Sequence, residues 1–199
     1  MKKHSLPFEV TPEDVLAYWL DELGPADWYR GGEELDEDVR DRFERAWRGA
    51  MEGERGLWLT YPSGSLAYIL LMDQFPRNMF RNTGQAFASD PHALAAAKAA
   101  IKKGWDMKID EPARQFFYMP LMHAENLSHQ DRAVRLFATR MPESGALNLP
   151  HAKAHREIIR RYGRFPTRNE ALGRRMTGPE REYIDLGGYG AVLREIQGS

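Results

Sequence analysis

The chain has 199 residues, with 28 Lys and Arg set against 29 Asp and Glu, for a formal net charge of −1. That length suffices for one large domain with a real core. The near-neutral charge argues against a dedicated nucleic-acid binder. There is no cysteine, which excludes disulfides, thiolate zinc sites and cysteine nucleophiles, and suits a reducing cytoplasm.

Met1-Lys2-Lys3-His4 starts like a secretory leader. Pro7 and Glu9 fall where its apolar core should be, so no signal peptide is read. Thr11-Pro12-Glu13-Asp14 is a helix start: a Thr cap, proline in the first turn, and acids on the positive dipole end. Val15, Leu16, Trp19 and Leu20 follow at helical spacing, and Gly24-Pro25 stops the run. The next helix carries Leu35, Val39, Phe43, Trp47 and Met51, one apolar stripe at intervals of four. Ser65 to Phe75 is apolar without a break from Leu66 to Met72. It is too short to span a bilayer. A helix apolar on all sides belongs in the middle of a bundle, with a buried strand as the alternative.

Asp90-Pro91 opens an alanine-rich helix that closes at Gly104. Asp110-Glu111-Pro112 opens another, holding Phe116, Phe117 and Tyr118, which Pro120 interrupts or restarts. Ser128-His129-Gln130-Asp131 reads as a capping box before Val134 and Phe137. Pro150 begins a helix that runs to Tyr162 and stops at Gly163. Thr177-Gly178-Pro179-Glu180 caps the last clear helix. Gly187-Gly188-Tyr189-Gly190 reads as a turn. No segment shows period-two alternation between hairpin turns. The pattern gives a single all-α domain over residues 1–199, with 1–10 as an N-terminal extension and 191–199 as a C-terminal tail.

Charge is unevenly spread. Glu9 to Glu54 holds fifteen acids and five arginines, while His151 to Arg175 holds eight Lys and Arg and two acids, Glu157 and Glu170. Such runs are ordinarily solvated faces, and the alternative is a basic surface for an anionic partner.

Two segments ninety positions apart nearly repeat each other: Asp73-Gln74-Phe75-Pro76-Arg77-Asn78 and Gly163-Arg164-Phe165-Pro166-Thr167-Arg168-Asn169. Each has an aromatic anchor, a proline that stops a helix, and an Arg-Asn pair. An arginine just after such a proline lies near a helix N-terminus, which is the wrong sign for the macrodipole. A negative group is therefore expected close by. It is either an internal carboxylate, with Asp73, Glu125, Glu157 and Glu170 as candidates, or a bound phosphate or carboxylate. Arg77 and Arg81 share a face if that stretch is helical. The ligand-binding candidates are Asp73, Arg77, Asn78, Arg81, Arg164, Arg168 and Asn169.

His123 and Glu125 invite an acid/base reading, since imidazole titrates near neutrality and a carboxylate can orient it. Two apart on a helix they diverge by about 200°, so they serve one site only if the segment is irregular. His155 joins them as a catalytic candidate because it lies on the helix that leads to Arg164 and Arg168. His151 and His155 have metal-ligand spacing, but no glutamate follows His151 and no third ligand is fixed, so no metal or other cofactor is assigned.

Several of these stretches together resemble a bacterial family of unknown function, domain of unknown function family 924. They are Val15-Leu16-Ala17-Tyr18-Trp19, Leu71 through Arg81, Pro120-Leu121-Met122-His123-Ala124-Glu125-Asn126, and His155 through Asn169. The likeness runs from about Val15 to Tyr189. Tyr162 stands where the family pattern has Phe, and Asn126 where an acid is common. The resemblance implies a tetratricopeptide-like array of antiparallel helix pairs and no particular activity. Two functional readings stand. One is an anionic small-molecule site built from the Arg-Asn motifs with His123, Glu125 and His155, catalytic or not. The other is a non-enzymatic helical adaptor for a protein or peptide, which rests on fold analogy.

Overall fold

A computed structural model describes residues 9–198, and every regular element among them is helical. The all-α expectation holds. The first eight residues of the expected N-terminal extension lie outside the described residues. No helix among those described is long and apolar enough to cross a membrane. The chain packs as two compact units that meet in sequence between Ile109 and Asp110.

In the first unit, α1 (Pro12–Leu16) starts on the expected cap. The Thr11 hydroxyl accepts from the Asp14 amide, and the Asp14 carboxylate accepts from the Thr11 amide. It runs on as a π-helical turn through Glu22. Helix α2 (Glu33–Met51) buries Val39, Phe43 and Trp47 along its apolar stripe. The apolar run is a helix and not a strand. It comprises α3 (Pro62–Ile69), a π-helical segment (Leu70–Gln74) and α4 (Phe75–Met79), in continuous helical backbone. Leu66, Ile69, Leu70, Leu71 and Met72 are fully buried. Helix α1 packs on α3, and so does α5 (Asp90–Lys102), while α2 packs on α4. Gly104, at φ +69, closes α5 as expected.

Pro76 does not stop its helix, contrary to the expectation from sequence. A proline ring clashes with the carbonyl four residues back and has no N–H to offer it. Here the helix widens to π bonding just before the proline, and the Phe75 amide reaches back to the Leu70 carbonyl. That relieves the clash. The Met72 carbonyl, which a proline cannot serve, accepts the hydroxyl of fully buried Ser89 at 2.6 Å. The same hydroxyl accepts the Trp47 indole N–H at 3.0 Å.

The second unit begins with a 3-10 turn (Ala113–Phe117), followed by α6 (Met119–His123) with Pro120 in its first turn. Helices α7 (Leu127–Arg140) and α8 (Gly145–Tyr162) form its main pair, with α6 on α7. The helix α10 (Gly188–Gln197) packs on α8 and on α9 (Gly178–Asp185). A Cβ at Gly145 would lie 2.5 Å from the Phe137 carbonyl oxygen, so glycine lets α8 start hard against α7. The Glu111 carboxylate accepts the Ser144 amide at 2.7 Å and supplies a partner at that crowded start.

Four local readings are corrected here. Helix α7 is capped by Asn126, whose side chain accepts the His129 amide, and not by Ser128, whose hydroxyl donates to Asn126. Helix α8 begins five residues before Pro150, which sits inside it early enough to cost one bond. Gly187 turns with φ +100, but the glycine-rich stretch then opens α10. Residues 191–197, read as a tail, are therefore helical, because Val192 is buried in the core of this unit with Ile158, Ile159, Phe165 and Tyr183.

Candidate functional site

The first Arg-Asn motif lies in the first unit, on and just beyond α4. Arg77 holds the Asp90 carboxylate with both terminal nitrogens, at 2.9 and 3.2 Å. It also donates to the Asp73 carbonyl at 2.6 Å, with the fully buried Asp73 carboxylate 3.4 Å away. Burial works against the guanidinium, but these two acids keep it charged and raise its pKa. Helix α4 ends at Met79, so Arg81 does not share a helical face with Arg77. It grips Asp36 of α2 instead, at 2.5 and 2.6 Å, and Asn78 donates to the same carboxylate at 2.9 Å. Burial pushes Asp36 up, but the bonds from Arg81 and Asn78 outweigh it and hold the carboxyl below its ordinary range.

The second motif lies in the second unit, where α8 does end. Gly163 adopts φ +71, Phe165 is extended ahead of its proline, and Pro166–Arg168 make one 3-10 turn. Arg164 makes a two-pronged pair with buried Glu180 at 2.5 and 2.8 Å, and also donates to the Arg175 carbonyl at 2.9 Å. Glu180 is at the same time the third residue of the Thr177 capping box, accepting the Thr177 amide at 2.7 Å. The Arg164 bond, first among these, drives the Glu180 carboxyl far below its usual range. Asn169 is buried and donates to the Met176 sulfur at 3.3 Å.

Arg168 differs from the other three arginines. Its guanidinium lies over the Phe165 ring, 4.6 Å from the centroid, and donates to the His123 carbonyl at 3.0 Å. That contact brings the end of α8 to the end of α6. The His123 and His155 rings are 6.3 Å apart, and His155 packs against Phe165 at 5.3 Å and Tyr189 at 5.1 Å. The His155 Nδ1–H donates to the His151 carbonyl at 2.9 Å, which leaves Nε2 as an acceptor. His151 in turn bonds the Tyr189 hydroxyl through its own Nδ1. Burial is the main force on His155, with the charges of His123 and Arg168 added, and its pKa falls to about 3. Burial also pushes the Tyr189 phenol up to about 12. Both groups are therefore neutral at pH 7.

Glu125 is brought to this cluster because the chain leaves the helix after His123, with Ala124 extended. The irregularity that a shared His123–Glu125 site requires is present. The carboxylate accepts the Phe165 amide at 2.9 Å and takes both prongs of Arg174, at 2.9 and 2.8 Å. Burial opposes its ionisation, but Arg174 and that amide outweigh it and keep the carboxyl below its usual value. Among the acids considered from sequence, Glu157 pairs with Arg160 and Arg161 on its own helix, and Glu170 is exposed.

Sequence reasoning found one of the acids that the first motif uses, Asp73. It missed Asp36 and Asp90, which come from helices distant in sequence, and Arg174 and Tyr189 in the second unit. From sequence Glu180 reads only as a cap residue. Its four-residue box with Thr177 was legible, but its pairing with Arg164 was not.

The family model described as "Bacterial protein of unknown function (DUF924)" matches residues 15–188. A solved structure titled as a protein of unknown function, ATU0120, from Agrobacterium tumefaciens is similar, with 40% sequence identity. The TM-score is 0.82, over 88% of this chain and 97% of that one. No curated protein matches. This chain belongs to the DUF924 family.

Proposed function

We propose that this family member holds a small anionic molecule in its second unit, at the cluster of Arg168, His123 and His155. The observation that carries the reading is the convergence of the three groups, with Arg168 on the His123 carbonyl and His155 beside the His123 ring. Arg168 supplies positive charge on an aromatic platform, the arrangement suited to a phosphate or carboxylate. His155, locked neutral with Nε2 as acceptor, reads a hydroxyl or N–H on the same ligand. With a pKa of about 3 it is too weak a base to carry protons near neutrality, so its part is to accept a hydrogen bond. Glu125 positions the loop through the Phe165 amide and Arg174, and does not titrate in the working range.

On this reading Asp73, Arg77, Asn78 and Arg81 in the first unit, and Arg164 and Asn169 in the second, serve the fold. Arg77, Arg81 and Arg164 each grip a carboxylate with two prongs, and Asn78 donates to the one that Arg81 holds. The test is a titration of the full chain with inorganic phosphate and with succinate, followed by the imidazole signals of His123 and His155. Saturable shifts are expected, weakened about tenfold or more by Arg168→Gln and left unchanged by Arg81→Gln. No saturable shift, or equal affinity in Arg168→Gln, overturns the proposal.

A further inference from the structure

The first unit carries a groove of about 300 Å³ between α3 and α5, built from residues with no part in either Arg-Asn motif. That volume is at the lower end of small-molecule sites. It exists because α5 turns alanines toward α3 at Ala95, Ala96, Ala99 and Ala100, where larger side chains would fill the space. Shallow alanine grooves between helices are common, and this one by itself would mean little.

The second observation is polar. Ser65 and Tyr68 are adjacent on one face of α3 and both line the groove. Their residues are only 2% and 7% exposed, and neither hydroxyl makes a hydrogen bond among the described residues. Neither oxygen is among the enclosed polar atoms without a partner, so both hydroxyls open into the groove and can donate to a molecule lying in it. Burial raises the Tyr68 pKa, so the phenol keeps its proton and remains a donor. At the mouth stand His92 and Lys103, with the Lys103 ammonium 4.0 Å from the centre of the Trp105 indole that forms one wall. No carboxylate lines the groove. Ser65, Tyr68, His92 and Lys103 can each donate, Lys103 through a positively charged ammonium, and none is an anionic acceptor.

We propose that this groove binds a small carboxylic acid with an apolar body. The body lies on the alanine floor against Trp105, and the carboxylate accepts from Tyr68, Ser65 and Lys103. The site is independent of the Arg168 cluster, and each proposal can fail without the other.

The probes are benzoate and octanoate, with benzyl alcohol and octanol as uncharged counterparts. They are titrated into the full chain while the Trp105 indole N–H signal is followed. A saturable shift with one or both acids is expected, with affinity for the matching alcohol about tenfold lower or less. Lys103→Met, at an exposed position, weakens acid binding about tenfold, and Tyr68→Phe weakens it severalfold. Ala99→Leu, also exposed, fills the groove and abolishes binding while the thermal midpoint stays near that of the parent. Three results would overturn the proposal: no saturable shift with either acid, equal affinity for acid and alcohol, or affinity unchanged in both Lys103→Met and Ala99→Leu.

Discussion

Phe75 and Phe165 anchor two segments that read almost alike, and their surroundings differ in kind. Phe75 sits inside an aromatic cluster of the first unit, 4.6 Å from Phe43, 5.3 Å from Trp19 and 6.1 Å from Tyr18 between ring centres. Its proline is absorbed into a continuing helix, and its arginines reach outward to acids on α2 and at the start of α5. Phe165 packs at the edge of the second unit's core and offers one face to the Arg168 guanidinium. Its proline follows a true helix end. The same short pattern thus builds a staple in one place and, on the reading above, part of a binding surface in the other. Physical context separates them: Phe75 packs among the rings of Phe43, Trp19 and Tyr18, whereas Phe165 gives one face to the Arg168 guanidinium.

The largest expected effect separates the two anchors. Phe75→Ala empties a fully enclosed site and should cost about 4–5 kcal/mol of stability. Phe165→Ala, at a site that can partly collapse, should cost about 3 kcal/mol. It should also weaken phosphate or succinate binding, because Arg168 loses its platform. Thermal unfolding and the imidazole titration measure the two quantities. Equal destabilisation with unchanged binding would remove the distinction.

Next comes the device that lets the helix pass through Pro76. Ser89→Ala removes the donor to the Met72 carbonyl and the acceptor for the Trp47 indole, leaving two buried polar groups without their partner. The expected cost is about 2–4 kcal/mol, large for the loss of one oxygen atom. Ser89→Thr, which keeps the hydroxyl, should recover much of that loss in a denaturant titration. If Ser89→Ala behaves like an ordinary surface change, below about 0.5 kcal/mol, the hydroxyl is not what makes the proline tolerable.

Ser89 also shows where sequence reading stops. The helices, most of the caps and the buried apolar run were legible, because periodicity, prolines and acidic first turns are local signals. The Thr11 and Thr177 caps are local in the same sense. Pro76 was misjudged because the rule that proline ends a helix assumes α bonding, and the compensating π turn and Ser89 hydroxyl are tertiary. The negative partner expected beside the arginine that follows the first proline is present for Arg77, in Asp73 and Asp90. Asp36 and the pairing role of Glu180 were invisible because 45 and 16 residues separate them from Arg81 and Arg164. His123 and Glu125 could be joined only by a helix end at His123, which nothing in the local pattern announces.

The two motifs should also part in their response to acid. His155 carries an ordinary value of 6.5 in the unfolded chain and about 3 in the folded one. Below pH 6.5 the unfolded chain takes up a proton that the folded chain refuses, so stability present above that pH is lost progressively down to about pH 3. The slope reaches at most about 1.4 kcal/mol per pH unit. Glu157, shifted from 4.5 to about 2 first by its bond to Arg160, works in the same direction over a lower window. Its contribution is present above pH 4.5 and fades as pH falls toward 2. His155→Gln should flatten the stability profile between pH 6.5 and 5, and Glu157→Gln between pH 4.5 and 3. In the first motif Asp36 is the shifted acid, also lowered, so Asp36→Asn should alter the profile only at carboxylate pH. Flattening near pH 6 by Asp36→Asn, with none by His155→Gln, would reverse the assignment.

The smallest effect tests whether the second motif depends on a true helix end. Gly163 holds φ +71 and a Cβ there would meet nothing within 4 Å, so the cost of a side chain is conformational and not steric crowding. Gly163→Ala should destabilise by about 1 kcal/mol, and Gly163→Asn by less, because asparagine tolerates the left-handed region better. No equivalent residue precedes Phe75, where the backbone stays right-handed through Gln74. Placing glycine there as Gln74→Gly should therefore loosen the helix, and not create a second end like that at Gly163. If both glycines prove neutral in thermal unfolding, the left-handed turn is not what separates the staple from the surface. The distinction would then rest on Phe165 and Arg168 alone.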